Sequence, residues 1–130
     1  MISSNMTNCQ ILLVDDEEIM RETGKAILED LGYTVILAKD GEAAVNIYKT
    51  MVAEIDLVVL DMIMPVMNGK DCFTFLQQRD PNVRVILSSG FTRNEDLTEM
   101  KKLGLKSFVR KPYGRVSLSK AVYEAINESL

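Results

Sequence analysis

The sequence predicts an α/β fold in which a five-stranded parallel sheet carries helices on both faces. Short apolar runs alternate with segments of helical periodicity five times along the 130 residues. Strands that alternate with helices pair in parallel through right-handed crossovers, which place helices on both sides of the sheet. The chain is 47% hydrophobic and 26% charged, as globular proteins are. We therefore expect residues 1–130 to be a single domain, with residues 1–8 as a disordered tail.

Two strand-helix units form the first half of the chain. The apolar run at 9–15 predicts a strand buried on both faces, Gly32 ends the helix after it, and Asp40 can cap the second helix. The predicted elements are strand 9–15, helix 17–31, strand 33–38 and helix 40–51. The side chains expected to face inward from these helices are Ile19, Met20, Ile27, Leu28, Leu31, Ala43, Ala44, Ile47 and Met51.

Three further units complete the chain. Asn68 can cap the third helix, Asp80 and Pro81 stop it, and Gly104 closes a short polar fourth helix. The predicted elements are strand 55–60, helix 68–78, strand 83–88, helix 94–103, strand 106–109 and helix 114–128. The side chains expected to face inward from the last helix are Leu118, Ala121, Val122, Ala125 and Ile126.

The composition argues against several classes of protein. A pI near 4.9 does not suit a nucleic-acid binder, which carries a basic patch. No apolar run approaches the roughly 18 residues that span a bilayer, and the N-terminus lacks the pattern of a signal peptide. Cys9 and Cys72 have no metal-binding spacing, which indicates buried thiols in a reducing cytoplasm. The chain has no histidine, so catalysis by a Ser-His-Asp triad is excluded.

Polar residues follow the predicted strands, and in a parallel sheet the loops at the carboxyl ends form the ligand site. Each residue alone has an ordinary interpretation, such as a helix cap, a turn or a surface lysine. Their common position at one edge of the sheet instead indicates a site that contains three carboxylates, two hydroxyls and one ammonium. These residues are Asp15, Asp16, Asp61, Ser88, Ser89 and Lys111.

Like charges at the end of a buried strand repel one another and need compensation. Oxygen ligands without histidine or thiolate favour a hard cation, and a small open site with carboxylates favours Mg2+. We expect Mg2+, with Mn2+ as the alternative ion. Magnesium among carboxylates suggests phosphoryl transfer, in which Asp61 acts as nucleophile while Lys111 and Ser89 contact phosphoryl oxygens. The sequence shows no separate substrate pocket, so turnover of a small molecule is not expected.

These residues resemble the receiver domain of two-component response regulators over residues 9–127. The resemblance rests on five motifs in the expected order. The acidic pair lies in "LLVDDE", the acceptor Asp61 in "LVVLDMIMPVMNG" and Ser89 in "VILSSGF", while Phe108 occupies the aromatic switch position and "RKPY" supplies Lys111-Pro112. Stretches such as "ILEDLGYTV" also resemble the receivers of hybrid sensor kinases. The chain is therefore expected to be a stand-alone receiver or part of a larger protein such as a hybrid kinase.

The resemblance implies a flavodoxin-like three-layer α/β/α fold with strand order 2-1-3-4-5. It implies that Asp61 takes a phosphoryl group from a histidine kinase or a histidine phosphotransfer domain. Mg2+ would be held by Asp16, Asp61 and the carbonyl of Ile63, while Asp15 would act largely through water. Lys111-Pro112 would be a cis peptide.

The resemblance also implies a switch, in which Ser89 moves toward the phosphoryl group and Phe108 rotates into the vacated space. The face formed by the fourth helix, fifth strand and fifth helix, residues 94–128, would then change its affinity for an effector or a second copy. Phe108 lacks the phenol often found at its position, so this switch would work by burial. Gly90 is the small residue expected after Ser89. Ile63 and Phe91 flank the acceptor, and we expect them to hinder water and prolong the phosphorylated state.

Other functions fit the sequence less well. An FMN binder needs a phosphate loop after the first strand, where "DDEE" would repel phosphate. A haloacid-dehalogenase-like phosphatase needs an acid two residues after its nucleophile, and that residue is Ile63. The segment "ETGKA" lacks the remaining residues of a P-loop. A degenerate receiver that acts only in protein interactions stays open as an alternative.

Overall fold

The computed structural model describes residues 9–90 and 94–127, and five parallel strands form its sheet in the order β2-β1-β3-β4-β5. The predicted fold class and strand order are confirmed. The strands are β1 Gln10–Val14, β2 Thr34–Ala38, β3 Leu57–Asp61, β4 Val85–Ser89 and β5 Ser107–Arg110. The predicted tail at 1–8, as well as Phe91 and Glu128, lies outside the described residues.

Five helices connect and follow the strands. They are α1 Glu18–Asp30, α2 Gly41–Met51, α3 Gly69–Arg79, α4 Asn94–Lys102 and α5 Arg115–Asn127. The Asp40 carboxylate accepts the Ala43 N–H at 2.8 Å, and the Asn68 side chain accepts the Asp71 N–H at 2.9 Å, so both predicted caps are confirmed. None of the helices in the described part of the chain is long and apolar enough to cross a membrane.

Alternating side chains of the strands supply two cores, one on each face of the sheet. Leu12 and Val14 of β1 belong to the core under α2, α3 and α4, which includes Tyr48 and Phe73. Ile11 and Leu13 of the same strand belong to the core under α1 and α5. The central strand β3 is buried along its whole length because helices cover both of its faces.

The structure corrects two predictions about the helices. Ile19 was expected to face inward, but 75% of its surface is exposed, because the buried stripe of α1 runs through Gly24 and Leu28. The buried side of α2 includes Val45 and Tyr48, which the prediction omitted. Both errors concern the rotation of a helix about its axis, which apolar spacing determines poorly when apolar residues are abundant.

The strands β3, β4 and β5 each end one residue later than predicted, whereas β1 ends one residue earlier, at Val14. The later ends of β3 and β4 affect the site. Asp61 and Ser89 are the last residues of β3 and β4, rather than residues of the loops that follow. Asp61 pairs with Ser88 in the β3–β4 ladder, and Ser89 pairs with Arg110 in the β4–β5 ladder. The sheet backbone therefore fixes the positions of both side chains.

Candidate functional site

A cavity of about 560 Å³ opens at the carboxyl edge of the sheet. Strand ends and the turns that follow them provide its walls, and most of the predicted site residues border it. The residues that line it are Asp16, Glu17, Met20, Asp61, Ile63, Ser89, Gly90, Lys111 and Pro112. Asp15 lies beneath this cavity with 1% of its surface exposed, so the structure brings the predicted carboxylates, the Ser89 hydroxyl and the ammonium together.

Three carboxylates form the acidic part of the site. Asp15, Asp16 and Asp61 each place an oxygen within 4.8 Å of the other two. Asp15 and Asp61 are buried, whereas Asp16 is exposed. Backbone N–H groups bind one oxygen of each buried acid: Glu17 N–H donates to Asp15 Oδ1 at 2.9 Å and Ile63 N–H donates to Asp61 Oδ1 at 3.3 Å.

The second oxygen of each buried acid faces the side chain of Lys111. The Lys111 Nζ lies 3.1 Å from Asp15 Oδ2 and 3.4 Å from Asp61 Oδ2. These are ion-pair distances, but neither oxygen receives a well-directed hydrogen bond from the described residues. One ammonium is thus shared between two buried carboxylates, and two buried oxygens keep unused acceptor capacity.

The electrostatics of the site follow from this shortage of positive charge. Burial and the neighbouring charge of Asp15 raise the pKa of Asp61 from 3.8 to about 7, an effect that Lys111 offsets only in part. Burial disfavours the Lys111 ammonium, but the close contact with Asp15 and the charge of Asp61 outweigh it, so the pKa of Lys111 is raised. Both directions show that the site binds positive charge favourably.

The donor set fits a hard divalent cation. All the candidate ligands are oxygens, two of the acids are buried, and two of their oxygens have no hydrogen-bond donor among the described residues. Mg2+ and Mn2+ take such carboxylate oxygens. Asp15, Asp16 and Asp61 are therefore placed to hold the ion that the sequence predicted.

Gly69 allows the acceptor strand and the next helix to approach closely. A Cβ atom at Gly69 would lie 2.5 Å from the carbonyl oxygen of Asp61 and 2.7 Å from Met62 Cα. Real Cβ atoms do not approach backbone this closely, and the Gly69 N–H donates to the Met62 carbonyl at 2.7 Å. Gly69 thus allows the start of α3 to pack directly against the end of β3.

The predicted switch residues lie beside the acidic cluster. Ser89 is buried, and its carbonyl accepts the Lys111 N–H at 2.8 Å. Phe108 is half-buried against the core under α4, and the Arg110 guanidinium lies 5.7 Å from its ring centre. Gly90 is exposed, and Lys111-Pro112 is a cis peptide, the isomer that the resemblance implies.

Three contacts near the site were not predicted. Glu17 Oε1 lies 3.1 Å from Lys111 Nζ, and Arg21 Nη1 donates to the Asp15 carbonyl at 2.7 Å. Tyr113 packs on Gly24, where a Cβ atom would lie 2.6 Å from the tyrosine oxygen. Glycine in the middle of an otherwise regular helix was the one available signal, because it commonly marks close packing.

A family model described as the response regulator receiver domain matches residues 11–123. The chain belongs to this family. The receiver domain is 35% identical to the chemotaxis protein CheY of Thermotoga maritima over 120 residues, which cover 92% of this chain and 95% of that protein. Response regulator receivers are signalling domains of two-component systems, and the sequence resemblance is confirmed.

Solved structures agree with this assignment. A response regulator receiver domain protein from Clostridium thermocellum superposes with a TM-score of 0.87 at 30% identity, over 93% of this receiver domain and 96% of that chain. CheY from the CheX-CheY-BeF3-Mg2+ complex of Borrelia burgdorferi superposes with a TM-score of 0.85 at 33% identity, over 88% and 86% of the two chains. The flavodoxin-like fold is confirmed, while an origin in a hybrid kinase stays a prediction.

Proposed function

We propose that Asp61 of this receiver domain accepts a phosphoryl group from the phosphohistidine of a histidine kinase or a histidine phosphotransfer domain. The observation that carries this proposal is the buried Asp61 Oδ2, which lacks a hydrogen-bond donor among the described residues and faces Lys111 at 3.4 Å. The 130 residues contain no histidine, so the donor histidine lies outside them.

In the transfer, an Asp61 carboxylate oxygen attacks phosphorus as the P–N bond to the donor imidazole breaks. The electron pair of that bond returns to the imidazole nitrogen, which then takes a proton from solvent. The Lys111 ammonium forms an ion pair with one phosphoryl oxygen, and the Ser89 hydroxyl donates a hydrogen bond to another. Asp16, Asp61 and the Ile63 carbonyl would hold Mg2+, with Asp15 acting largely through water, and the bound ion would supply further positive charge at the site.

The output follows from the position of Ser89 between the acceptor and β5. Movement of Ser89 toward the phosphoryl group would give Phe108 room to rotate inward. The face formed by α4, β5 and α5 would then change its affinity for a downstream effector or a second copy of the chain. Ile63 is 65% exposed beside the acceptor and, together with Phe91, would limit the access of water to the acyl phosphate, while Gly90 provides the small residue after Ser89.

Intact mass measured after incubation with acetyl phosphate tests this function. We expect a gain of one phosphoryl group in the presence of Mg2+, and no gain with EDTA or in Asp61→Asn. Asp71→Asn is the matched control, since it removes an exposed carboxylate from α3 and should be phosphorylated as the wild type is. A phosphoryl group retained in folded Asp61→Asn would contradict the assignment of the acceptor.

A further inference from the structure

Glu17 lies at the start of helix α1, but its side chain binds Lys111 instead of capping the helix. It is the N-cap of α1, a position at which Ser, Thr, Asp or Asn normally binds the free N–H groups of the first turn. The Glu17 carboxylate makes no such capping bond within the described helix. It reaches instead across the mouth of the cavity to Lys111, which is 94 residues away in sequence.

The geometry makes Glu17 a full partner of Lys111. The Nζ of Lys111 is 3.1 Å from Glu17 Oε1, as close as it is to Asp15 Oδ2, and it is 3.4 Å from Asp61 Oδ2. The Glu17 N–H also donates to Asp15 Oδ1, which fixes the backbone of Glu17 relative to the acidic cluster. Asp61 is thus the most distant of the three carboxylates around the ammonium.

We infer that Glu17 is a positioning residue that acts as a latch on Lys111. In the unphosphorylated protein the ion pair with Glu17 holds the Lys111 ammonium near the mouth of the cavity. Lys111 must give up this partner to move its full charge onto a phosphoryl group on Asp61, so Glu17 disfavours the phosphorylated state. This inference rests on the proposed function, because it assigns Lys111 to the phosphoryl oxygens.

The neighbouring Glu18 provides a matched control. It carries the same charge one residue further along and is exposed, and its side chain makes no hydrogen bond or ion pair within residues 9–90 and 94–127. Glu18→Gln changes the field that an incoming phosphate meets, but leaves Lys111 untouched. A comparison of Glu17→Gln with Glu18→Gln at physiological salt, where the Debye length is about 8 Å, therefore separates the latch from long-range repulsion.

The experiment measures the affinity for beryllofluoride with Mg2+ and the rate of phosphorylation by acetyl phosphate. We expect Glu17→Gln to increase both by about 2- to 5-fold, which is what the loss of a partly exposed ion pair can produce. Glu18→Gln should change them less than about twofold. Equal effects of the two substitutions, or weaker beryllofluoride binding by Glu17→Gln, would overturn the latch.

NMR signals of Lys111 test the latch independently of phosphorylation. The NMR signals of the Lys111 Cε and Nζ groups in the metal-free protein should shift in Glu17→Gln, because the ammonium loses one of its three carboxylate partners. They should stay in place in Glu18→Gln. Unchanged Lys111 signals in Glu17→Gln would overturn the latch. Failure of the wild type to gain a phosphoryl group would instead count against the proposed function.

Discussion

Replacement of Asp61 by asparagine should stabilise the metal-free protein even though it removes the proposed acceptor. Asp15 and Asp61 are both buried, and they share the ammonium of Lys111. A neutral amide in place of the Asp61 carboxylate would remove the repulsion between the two acids while Asp15 and Glu17 continue to hold Lys111. The substitution therefore removes both the burial of the Asp61 charge and its repulsion with Asp15.

The magnitude follows from the proton affinity of the folded state. Burial and the charge of Asp15 raise the pKa of Asp61 from 3.8 to about 7. At 1.36 kcal/mol per pKa unit, this difference sets an upper limit of about 4 kcal/mol on the cost of ionised Asp61 at pH 7. The asparagine amide must find its own hydrogen bonds in a buried site, which costs about 1–3 kcal/mol. We expect a net stabilisation of about 1–3 kcal/mol.

The sign of the pH dependence is also fixed. The pKa is raised on folding, so the wild type is favoured when Asp61 is protonated and loses this stability as the pH rises from about 4 to about 7. The advantage of Asp61→Asn should therefore be full at pH 7 and shrink toward pH 4. Mg2+ should narrow the gap by stabilising the wild type, by about 1.4 kcal/mol at ten times its Kd, and should act only weakly on the variant.

Urea unfolding in EDTA at pH 5, 6 and 7, repeated with Mg2+ at pH 7, measures these differences. Asp71→Asn removes an exposed carboxylate from the first turn of α3 and serves as the control, with an expected loss of a few tenths of a kcal/mol. The reasoning would be refuted if Asp61→Asn and the wild type were equally stable in EDTA at pH 7. It would also fail if their difference did not change between pH 5 and pH 7.

Three further substitutions test other parts of the structure. Gly24→Ala should destabilise the fold by about 1–3 kcal/mol in urea unfolding, because its Cβ would lie 2.6 Å from the Tyr113 oxygen, and Tyr113→Phe should recover part of this loss in the double variant. Asn68→Ala should cost about 1 kcal/mol in the same assay, because the Asp71 N–H loses its cap. Lys111→Met should lower the melting temperature in EDTA and slow phosphorylation by acetyl phosphate at least tenfold. The reason is that two buried acids lose their shared cation. Phosphorylation at the wild-type rate would contradict the role given to Lys111.

The sequence predicted the parts of the site that follow from topology. Asp61, Ser89 and Lys111 lie at or just after the ends of three parallel strands, and such ends meet at one edge of the sheet wherever the strands are paired. The side chain of Glu17 could not be placed in this way. Acidic residues near the first turn are expected to interact with the helix dipole, and only the three-dimensional position of Lys111 shows that Glu17 has another partner.

The predicted fold was accurate in class and order because helical and strand periodicities differ strongly. Errors appeared where the phase of one helix had to be known, as for Ile19 and Tyr48. The rotation of a helix depends on the side chains that pack against it, and in α1 the close packing of Gly24 against Tyr113 is one such contact. That contact joins residues far apart in sequence, so local spacing carries no information about it.

The four consecutive acids that follow β1 are best understood through linkage. Asp15 is buried and short of positive charge, so the metal-free fold carries an electrostatic cost that a bound cation removes. A cation that binds only the folded state stabilises the fold, and the coupling between folding and binding has the same free energy in both directions. We expect Asp61→Asn to relieve the repulsion. It must therefore weaken Mg2+ binding, and the loss of binding free energy equals the loss of the stabilisation that Mg2+ provides. The repulsion within the acidic cluster would thus be the source of the Mg2+ affinity that the proposed function needs.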